Sequence, residues 1–179
     1  MIDTIQLPSG VLVIIDPSYL AMYNSILFDV SLQVRKLSVF IDTKQTGEVD
    51  ILTVISNEGG FGERVAGTKL IFNTERKSKE RKKLGDCGVD SGRLIFFDKS
   101  NLSILQQCSC VNSDELSEYS HVTSTGFGDG LYPVFVEYDA YGNINSIEVI
   151  FLAEKCERCG TSLMEGNKLC FKCDLLDRS

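Results

Sequence analysis

The sequence predicts a mainly β protein whose body is a β-sandwich or a distorted barrel. Three observations carry this prediction: short runs of β-forming residues recur, glycine-rich connections separate them, and few windows show helical spacing. Consecutive short strands of this kind bury their apolar residues between two sheets or inside one curved sheet. The strand-like segments are residues 2–7, 11–16, 28–34, 37–42, 49–55, 70–73, 93–98, 131–139 and 144–152.

Turn and loop signals separate these segments in the first half of the chain. Pro8-Ser9-Gly10 lies between the first two strand-like segments and predicts a hairpin turn. After Asp16, the helical spacing of apolar residues predicts one short helix over residues 18–27. Residues 57–67 contain four glycines and no clear period, so they are predicted to form a loop.

The last two strand-like segments form the clearest predicted hairpin, with a turn over residues 140–143. Apolar side chains alternate onto both faces of this pair, which predicts central strands buried on two sides. A boundary near residue 153 then divides the chain into a β-rich body, residues 1–152, and a C-terminal segment, residues 153–179.

Four cysteines in the C-terminal segment give the strongest chemical signal in the chain. Cys156 and Cys159 form one C-x-x-C pair, and Cys170 and Cys173 form a second pair after ten intervening residues. Four thiolates at this spacing can close a tetrahedron around Zn²⁺, which predicts a zinc ribbon with four cysteine ligands. All four ligands are sulfur and leave no position open for water, so the zinc is expected to be structural.

Composition places the chain among globular proteins of reducing compartments. The 179 residues are 43% hydrophobic, which suffices for one core plus the ribbon. The sequence has no run of about 18 apolar residues and no charged-then-apolar N-terminus, so neither a membrane span nor a secretory signal is expected. Seven cysteines, four of them assigned to zinc, fit a cytoplasmic protein better than a disulfide framework.

The formal net charge of −7 argues against general nucleic-acid binding. The basic run, residues 75–83, is an exception, because its six basic and two acidic side chains give a net charge of +4. A helix, a hairpin loop and a disordered excursion are all open for this run. No aromatic residue is interleaved for stacking on bases, so a solvated loop is favoured. Nucleic-acid binding through residues 76–83 and the ribbon is the alternative function.

Three segments of the body combine aspartate, glycine and aromatic residues in an unusual way. They are residues 16–20 (DPSYL), 86–92 (DCGVDSG) and 124–133 (STGFGDGLYP). In these motifs and their order, residues 5–152 resemble the DUF4241-type family of uncharacterised β proteins of bacteria and phages. The resemblance implies a β-rich fold, brings no established activity and does not include the ribbon. A phage origin, which it permits, would suit a modulator of a host protein.

Asp16, Asp90 and Asp129 each lie beside a turn at the end of a predicted strand. Brought together with Ser91 and Gly128, they could form a ligand-binding or hydrolytic site, with a hard cation or acid–base chemistry. Carboxylates in turns more often accept hydrogen bonds from backbone amides, and that role is favoured. The glycine-rich segment around Gly128 fits an anion-binding loop or, as the favoured interpretation, a tight bend.

Nucleophilic catalysis has few candidate residues. Cys87 could act as a nucleophile only beside a base, and His121 is the single histidine of the chain. Cys108 and Cys110 are predicted to be small buried apolar residues. Catalysis is therefore the weaker interpretation, and no catalytic residue is assigned.

These observations favour a non-catalytic protein–protein interaction module that contains structural zinc. Arg158 lies between the ligands of the first C-x-x-C pair, and Phe171 and Lys172 lie between those of the second. We expect these three side chains to be exposed on the zinc knuckles and to contact the partner. The acidic body can engage a basic surface on that protein.

Overall fold

A computed structural model of the protein describes residues 2–20, 37–72, 75–107 and 118–152, together with the strand residues 154–155 and 162–163. The described chain is mainly β, as predicted. The strands of the body are β1 (Ile2–Leu7), β2 (Val11–Ile15), β3 (Ser38–Asp42), β4 (Gly47–Asn57), β5 (Glu63–Ile71), β6 (Glu80–Val89), β7 (Arg93–Asp98), β8 (Ser120–Ser124), β9 (Gly130–Tyr138) and β10 (Ile144–Ile150).

Short elements complete the described structure. Two helices of one to two turns are α1 (Pro17–Leu20) and α2 (Leu102–Gln107), and 3₁₀ turns lie at Gly59–Phe61 and Lys99–Asn101. Beyond the body, β11 (Glu154–Lys155) pairs with β12 (Ser162–Leu163). Within the described ranges, no helix is long and apolar enough to cross a membrane.

The ten strands of the body build two antiparallel sheets. The six-stranded sheet has the order β1-β4-β5-β10-β9-β6, and the four-stranded sheet has the order β3-β2-β7-β8. The end strands of each sheet do not pair with one another in the part of the chain that is described, so neither sheet closes into a barrel. Of the two predicted architectures, the stacked pair of sheets is the one observed.

The main core fills the space between the two sheets. Alternate residues along each strand face inward, which is the periodicity expected of half-buried strands. The last two strands of the body, for example, contribute one face each. The fully buried members of this core include Leu7, Leu12, Ile14, Ile51, Leu70, Leu94, Phe96, Val134, Val136, Ile147 and Val149.

The four-stranded sheet is also buried on its second face. Val13 and Ile15 of β2, with Ile95 and Phe97 of β7, form a second cluster with residues of α1 and α2. As a result, residues 12–15 and 94–97 are completely buried. Their continuous apolar sequences are typical of strands covered on both sides.

The prediction of two-sided burial for the last hairpin is wrong, although the hairpin itself is confirmed. β9 and β10 pair in the interior of the six-stranded sheet. Their inner face joins the core, but the outer face carries the partly exposed carboxylates of Glu137 and Glu148. Apolar residues on both faces of a strand pair therefore did not suffice to predict burial on both sides. The second layer, α1 and α2, packs on the four-stranded sheet instead.

The predicted hairpin between the first two strands is also wrong. The turn at Pro8-Ser9-Gly10 forms, but β1 pairs with β4 whereas β2 pairs with β3 and β7. The chain changes sheets at this point. A side chain distant in sequence stabilises this turn. The Asp98 carboxylate accepts hydrogen bonds from the Ser9 amide and hydroxyl at 3.0 and 2.9 Å.

Strands occupy more of the middle of the chain than predicted. β5 begins at Glu63, so only the hairpin tip around Gly59–Phe61 is a loop. The basic run leads into β6, the end strand of the six-stranded sheet, so for residues 80–83 the helix, the hairpin loop and the disordered excursion are all wrong. Of the predicted helix over residues 18–27, residues 18–20 belong to α1, and residues 21–27 lie outside the described residues, as does the predicted strand over residues 28–34.

Complete burial between the two sheets predicts a large stability effect for Leu94 of β7. Replacing Leu94 with alanine is expected to lower the free energy of unfolding by about 2–5 kcal/mol, since a cavity opens between two packed layers. The matched change Leu131→Ala, at a side chain that is 64% exposed, should cost less than about 0.5 kcal/mol. Urea denaturation followed by circular dichroism measures both. Equal effects would contradict this packing.

Candidate functional site

Three loops meet at one end of the sandwich, and they contain the three unusual sequence segments. Asp16 follows β2, residues 90–92 connect β6 to β7, and residues 125–129 connect β8 to β9. The Thr125 amide donates to the Gly92 carbonyl at 3.0 Å, and a methyl group built on Gly92 would lie 3.4 Å from the Gly128 Cα. Tertiary structure thus joins the first and last of these segments, which are more than 100 residues apart, into one network.

Asp16 is the centre of this network. Its side chain is completely buried, and one carboxylate oxygen, Oδ1, accepts hydrogen bonds from the Ser18 amide and the Ser91 hydroxyl, both at 2.7 Å. The other, Oδ2, accepts from the amides of Asp90 and Ser91, both at 2.7 Å. Both oxygens are engaged, which is the structural role that carboxylates in turns commonly take.

The electrostatics of Asp16 follow from these contacts. Burial alone raises the pKa of this carboxyl, but the hydrogen bonds from Ser91, Ser18 and Asp90 outweigh burial and lower the pKa below its usual value. The carboxylate is therefore ionised at neutral pH. A group held in this way is a poor proton carrier and fastens the turn between β6 and β7.

Asp90 is exposed and has a different role. Its Oδ2 accepts a hydrogen bond of 2.5 Å from the Tyr19 hydroxyl on α1. Burial, followed by this hydrogen bond and the charges of Asp90 and Asp16, raises the pKa of Tyr19 far above its usual range. Tyr19 was not predicted as a site residue, although its place in the DPSYL segment was a usable signal.

The glycine-rich loop before β9 is a tight bend held by its own hydrogen bonds. The Gly128 carbonyl accepts from the Thr125 hydroxyl at 2.5 Å and from the Tyr132 hydroxyl at 2.7 Å. Gly126 has a φ of 68°, and a methyl group there would lie 2.8 Å from the Val65 carbonyl oxygen. Glycine is required at this position for both reasons. These contacts fit the favoured interpretation as a bend.

The five predicted ligand-binding residues are thus only partly brought together. Asp16, Asp90 and Ser91 share hydrogen bonds, and Gly128 packs against the same turn. Asp129 is exposed on the adjoining loop. In the ranges that the structure describes, no group of three or more histidine, cysteine or acidic residues is placed to hold a metal ion. Ligand binding here stays a prediction.

An aromatic pair is exposed beside this network, and sequence reasoning did not single it out. Phe127 of the glycine-rich loop contacts Phe61, at the tip of the β4–β5 hairpin, edge to face with ring centroids 5.7 Å apart. The Arg64 guanidinium lies 6.0 Å from the Phe127 ring. We call Phe61, Arg64 and Phe127 the aromatic tip. Its apolar members are 46–61% exposed.

Cys87 and His121 occupy environments unsuited to a nucleophile and its base. The Cys87 thiol is fully buried, with the carbonyls of Ile14 and Leu37 as its nearest partners at 3.6 Å. Burial raises the pKa of this thiol far above its usual value, and the nearby Asp16 raises it further. His121 Nδ1 instead contacts the Asp3 carboxylate at 3.0 Å.

Ion pairs engage half of the cations in the basic run. Arg76 pairs with Asp139 at 2.8 Å, and Lys83 pairs with Asp86 at 2.8 Å. Arg81 pairs with Glu148 at 2.9 Å, and its guanidinium lies 3.9 Å from the centroid of the Phe135 ring. Charged side chains on an end strand hinder pairing with another sheet, so the run protects this edge.

Two further buried carboxylates were missed by sequence reasoning. Asp98 accepts hydrogen bonds from the amides and hydroxyls of Ser9 and Ser100. Asp139 accepts from Arg76 and from the Tyr141 and Asn143 amides. Burial acts to raise the pKa of Asp139, but its hydrogen bonds lower it well below its usual range. For Asp139 the available signal was its place directly before the predicted turn at residues 140–143.

Most of the predicted zinc ribbon lies outside the described residues. This applies to the ligands and the predicted partner contacts, and also to Cys108 and Cys110. The described part is the pairing of β11 with β12, in the register Glu154↔Leu163 and Lys155↔Ser162. The residues outside the described ranges are Cys156, Arg158, Cys159, Cys170, Phe171, Lys172 and Cys173.

Comparison with known proteins gives no relative for this chain: no family model, no curated protein and no solved structure matches it. The resemblance to the DUF4241-type family therefore stays a prediction from the three motifs.

Asp16 should contribute stability that depends on pH. Asp16→Asn is expected to lower the free energy of unfolding at pH 7 by about 2–3 kcal/mol, because charge-assisted hydrogen bonds are weakened. The folded pKa lies below the unfolded one, about 3.9, so the stabilisation is complete above that pH and is lost as the pH falls through the folded value. The difference between the two proteins should therefore be constant from about pH 5 to 7 and shrink below about pH 4.

Asp129→Asn is the control for this measurement, since Asp129 is exposed. It should change the free energy of unfolding by less than about 0.5 kcal/mol. Chemical denaturation across this pH range measures all three proteins. A deficit of Asp16→Asn that stays the same size down to acid unfolding would show that the charge of Asp16 is not responsible.

Proposed function

We propose that the protein is a non-catalytic interaction module in which a rigid β body carries a structural zinc ribbon that contacts another protein. The pairing of β11 with β12 is the observation that carries this proposal. Residues 156–161 connect these two strands, so Cys156 and Cys159 belong to the connection of an antiparallel hairpin. A C-x-x-C pair in such a connection is the usual first half of a zinc ribbon.

The chemistry of the donor set fits Zn²⁺. Cys170 and Cys173 would supply the second pair of thiolates, and four sulfur ligands complete a tetrahedral shell. The ion would hold together a segment too short to bury a core of its own. Binding requires reduced thiols, which supports a cytoplasmic location.

The state of the basic run favours a protein partner over nucleic acid. Arg76, Arg81 and Lys83 already have carboxylate partners, so the local excess of positive charge available to phosphates is small. The hydrogen bonds of Asp16 likewise support a structural role for the loops that could have formed a hydrolytic site. Arg158, Phe171 and Lys172 are the proposed contacts, and a phage-encoded modulator of a host protein is one form that this function would take.

Purified protein should contain one zinc ion per chain. Cys156→Ser and Cys173→Ser are each expected to abolish stoichiometric zinc binding, whereas Cys108→Ser should retain it. Zinc released by a thiol-modifying reagent can be quantified with a metal-binding dye. Metal-free protein purified under reducing conditions that still binds no added zinc would contradict the ribbon.

Partner capture should depend on the zinc knuckles. The double change Arg158→Ala and Phe171→Ala is expected to reduce capture of the partner from a lysate of the source organism by at least about tenfold, because arginine and aromatic residues dominate interfaces. Tyr141→Ala removes an aromatic side chain that is 85% exposed at the far end of β9 and β10 and serves as the control. The wild type, the double variant and Tyr141→Ala should have the same melting temperature. Equal capture by the double variant would refute the assigned contacts.

A further inference from the structure

The aromatic tip is an apolar surface with no cover among the described residues. Phe61 is 61% exposed and Phe127 is 46% exposed. Exposed apolar residues are common when they are scattered, but an aromatic pair in mutual contact is a patch. Arg64 at its edge adds a cation beside the rings. Such a patch gains stability when another apolar surface covers it.

Hydrogen bonds fix the two loops that carry the aromatic tip, so the tip can act as a preformed docking surface. The loop that carries Phe127 is fixed by the Thr125 and Tyr132 hydroxyls and by the Thr125 amide, which reaches the Gly92 carbonyl. Phe61 lies on the short turn between β4 and β5, where the Gly62 amide donates to the Gly59 carbonyl at 3.0 Å. Little conformational entropy is lost when a surface already fixed in this way becomes covered.

The chain leaves the body against the same surface. The amides of Phe151 and Leu152 both donate to the Ala66 carbonyl, at 2.8 and 3.0 Å. A methyl group built on Gly126, the residue before Phe127, would lie 3.3 Å from the Leu152 side chain. Residues 153–179 therefore begin next to the aromatic tip.

The length of the tether keeps that segment close. β11 begins at Glu154, and two residues of extended chain span at most about 7 Å, so the β11–β12 hairpin starts within that distance of Leu152. So short a connection gives a high effective concentration of the segment at the tip. The segment also has apolar side chains that could cover the aromatic tip. They are Leu163, Met164, Leu169, Leu175 and Leu176.

From this placement we propose that the C-terminal segment of the same chain, residues 156–176, docks its aliphatic side chains on the aromatic tip. This inference rests on the proposed function in one respect: it takes zinc to hold the C-terminal segment together. Docking through leucine and methionine leaves Arg158, Phe171 and Lys172 free to face a partner. The zinc-bound thiolates, with a net charge of −2, would complement Arg64.

Limited trypsin digestion of the full chain tests this docking. The cleavable residues within residues 156–176 are Arg158, Lys168 and Lys172. The double change Phe61→Ser and Phe127→Ser should speed cleavage at these residues by at least about fivefold, because cleavage follows the population of the undocked state. Tyr141→Ser, which removes an exposed aromatic at the far end of the hairpin, should leave the rate unchanged.

The possible outcomes distinguish docking of the C-terminal segment from zinc binding and from coverage of the aromatic tip by another molecule. Equal cleavage of wild type and the phenylalanine variant, with zinc present in both, overturns the docking and leaves the proposed function intact. Faster cleavage of the variant when neither protein contains zinc supports docking and removes the zinc ribbon. If cleavage is unchanged but the variant loses self-association measured by light scattering, the tip pairs two copies and the inference fails. It fails equally if the variant loses a captured partner while cleavage stays the same.

Discussion

Burial of β2 and β7 on both faces is the constraint on which the rest of the structure depends. Their apolar stretches, residues 12–15 and 94–97, are completely buried, so polar groups enter only where these strands end. β2 is followed by Asp16 and β7 ends at Asp98, and each carboxylate is buried and accepts four hydrogen bonds. Burying a charge is costly without such partners. The two aspartates therefore fix the loops at opposite ends of the sandwich.

This arrangement explains why residues that look functional in the sequence are structural in the fold. Asp16 and Ser91 hold the turn between β6 and β7, and Tyr132 holds the glycine-rich loop. Beside these loops an apolar surface is exposed, the aromatic pair of Phe61 and Phe127. Function is therefore better sought on the surface that the network supports and in the C-terminal segment than in the network itself.

Much of the fold could be predicted because it is encoded locally. Alternation along β9 and β10 and the turn at residues 140–143 predicted the hairpin, and short runs of β-forming residues predicted strands at residues 11–16 and 93–98, where β2 and β7 lie. The β1–β2 hairpin failed, because a tight turn such as Pro8-Ser9-Gly10 is compatible with pairing or with a change of sheets. In the structure this turn is hydrogen-bonded to Asp98, a residue 89 positions away from Ser9. Tyr19 and Phe127 were missed since their partners are equally remote in sequence.

The sequence by itself determined the β class, the place of most strands and the cysteine spacing that predicts zinc, because these depend on periodicity and on ligand spacing between near neighbours. Only the tertiary structure decided which strands are buried on both faces, which three loops share the Asp16 network, and that the basic run leads into an end strand, with Arg76, Arg81 and Lys83 paired to carboxylates. Those outcomes depend on contacts between distant segments, and the residues involved carry no mark of their partners in the linear chain.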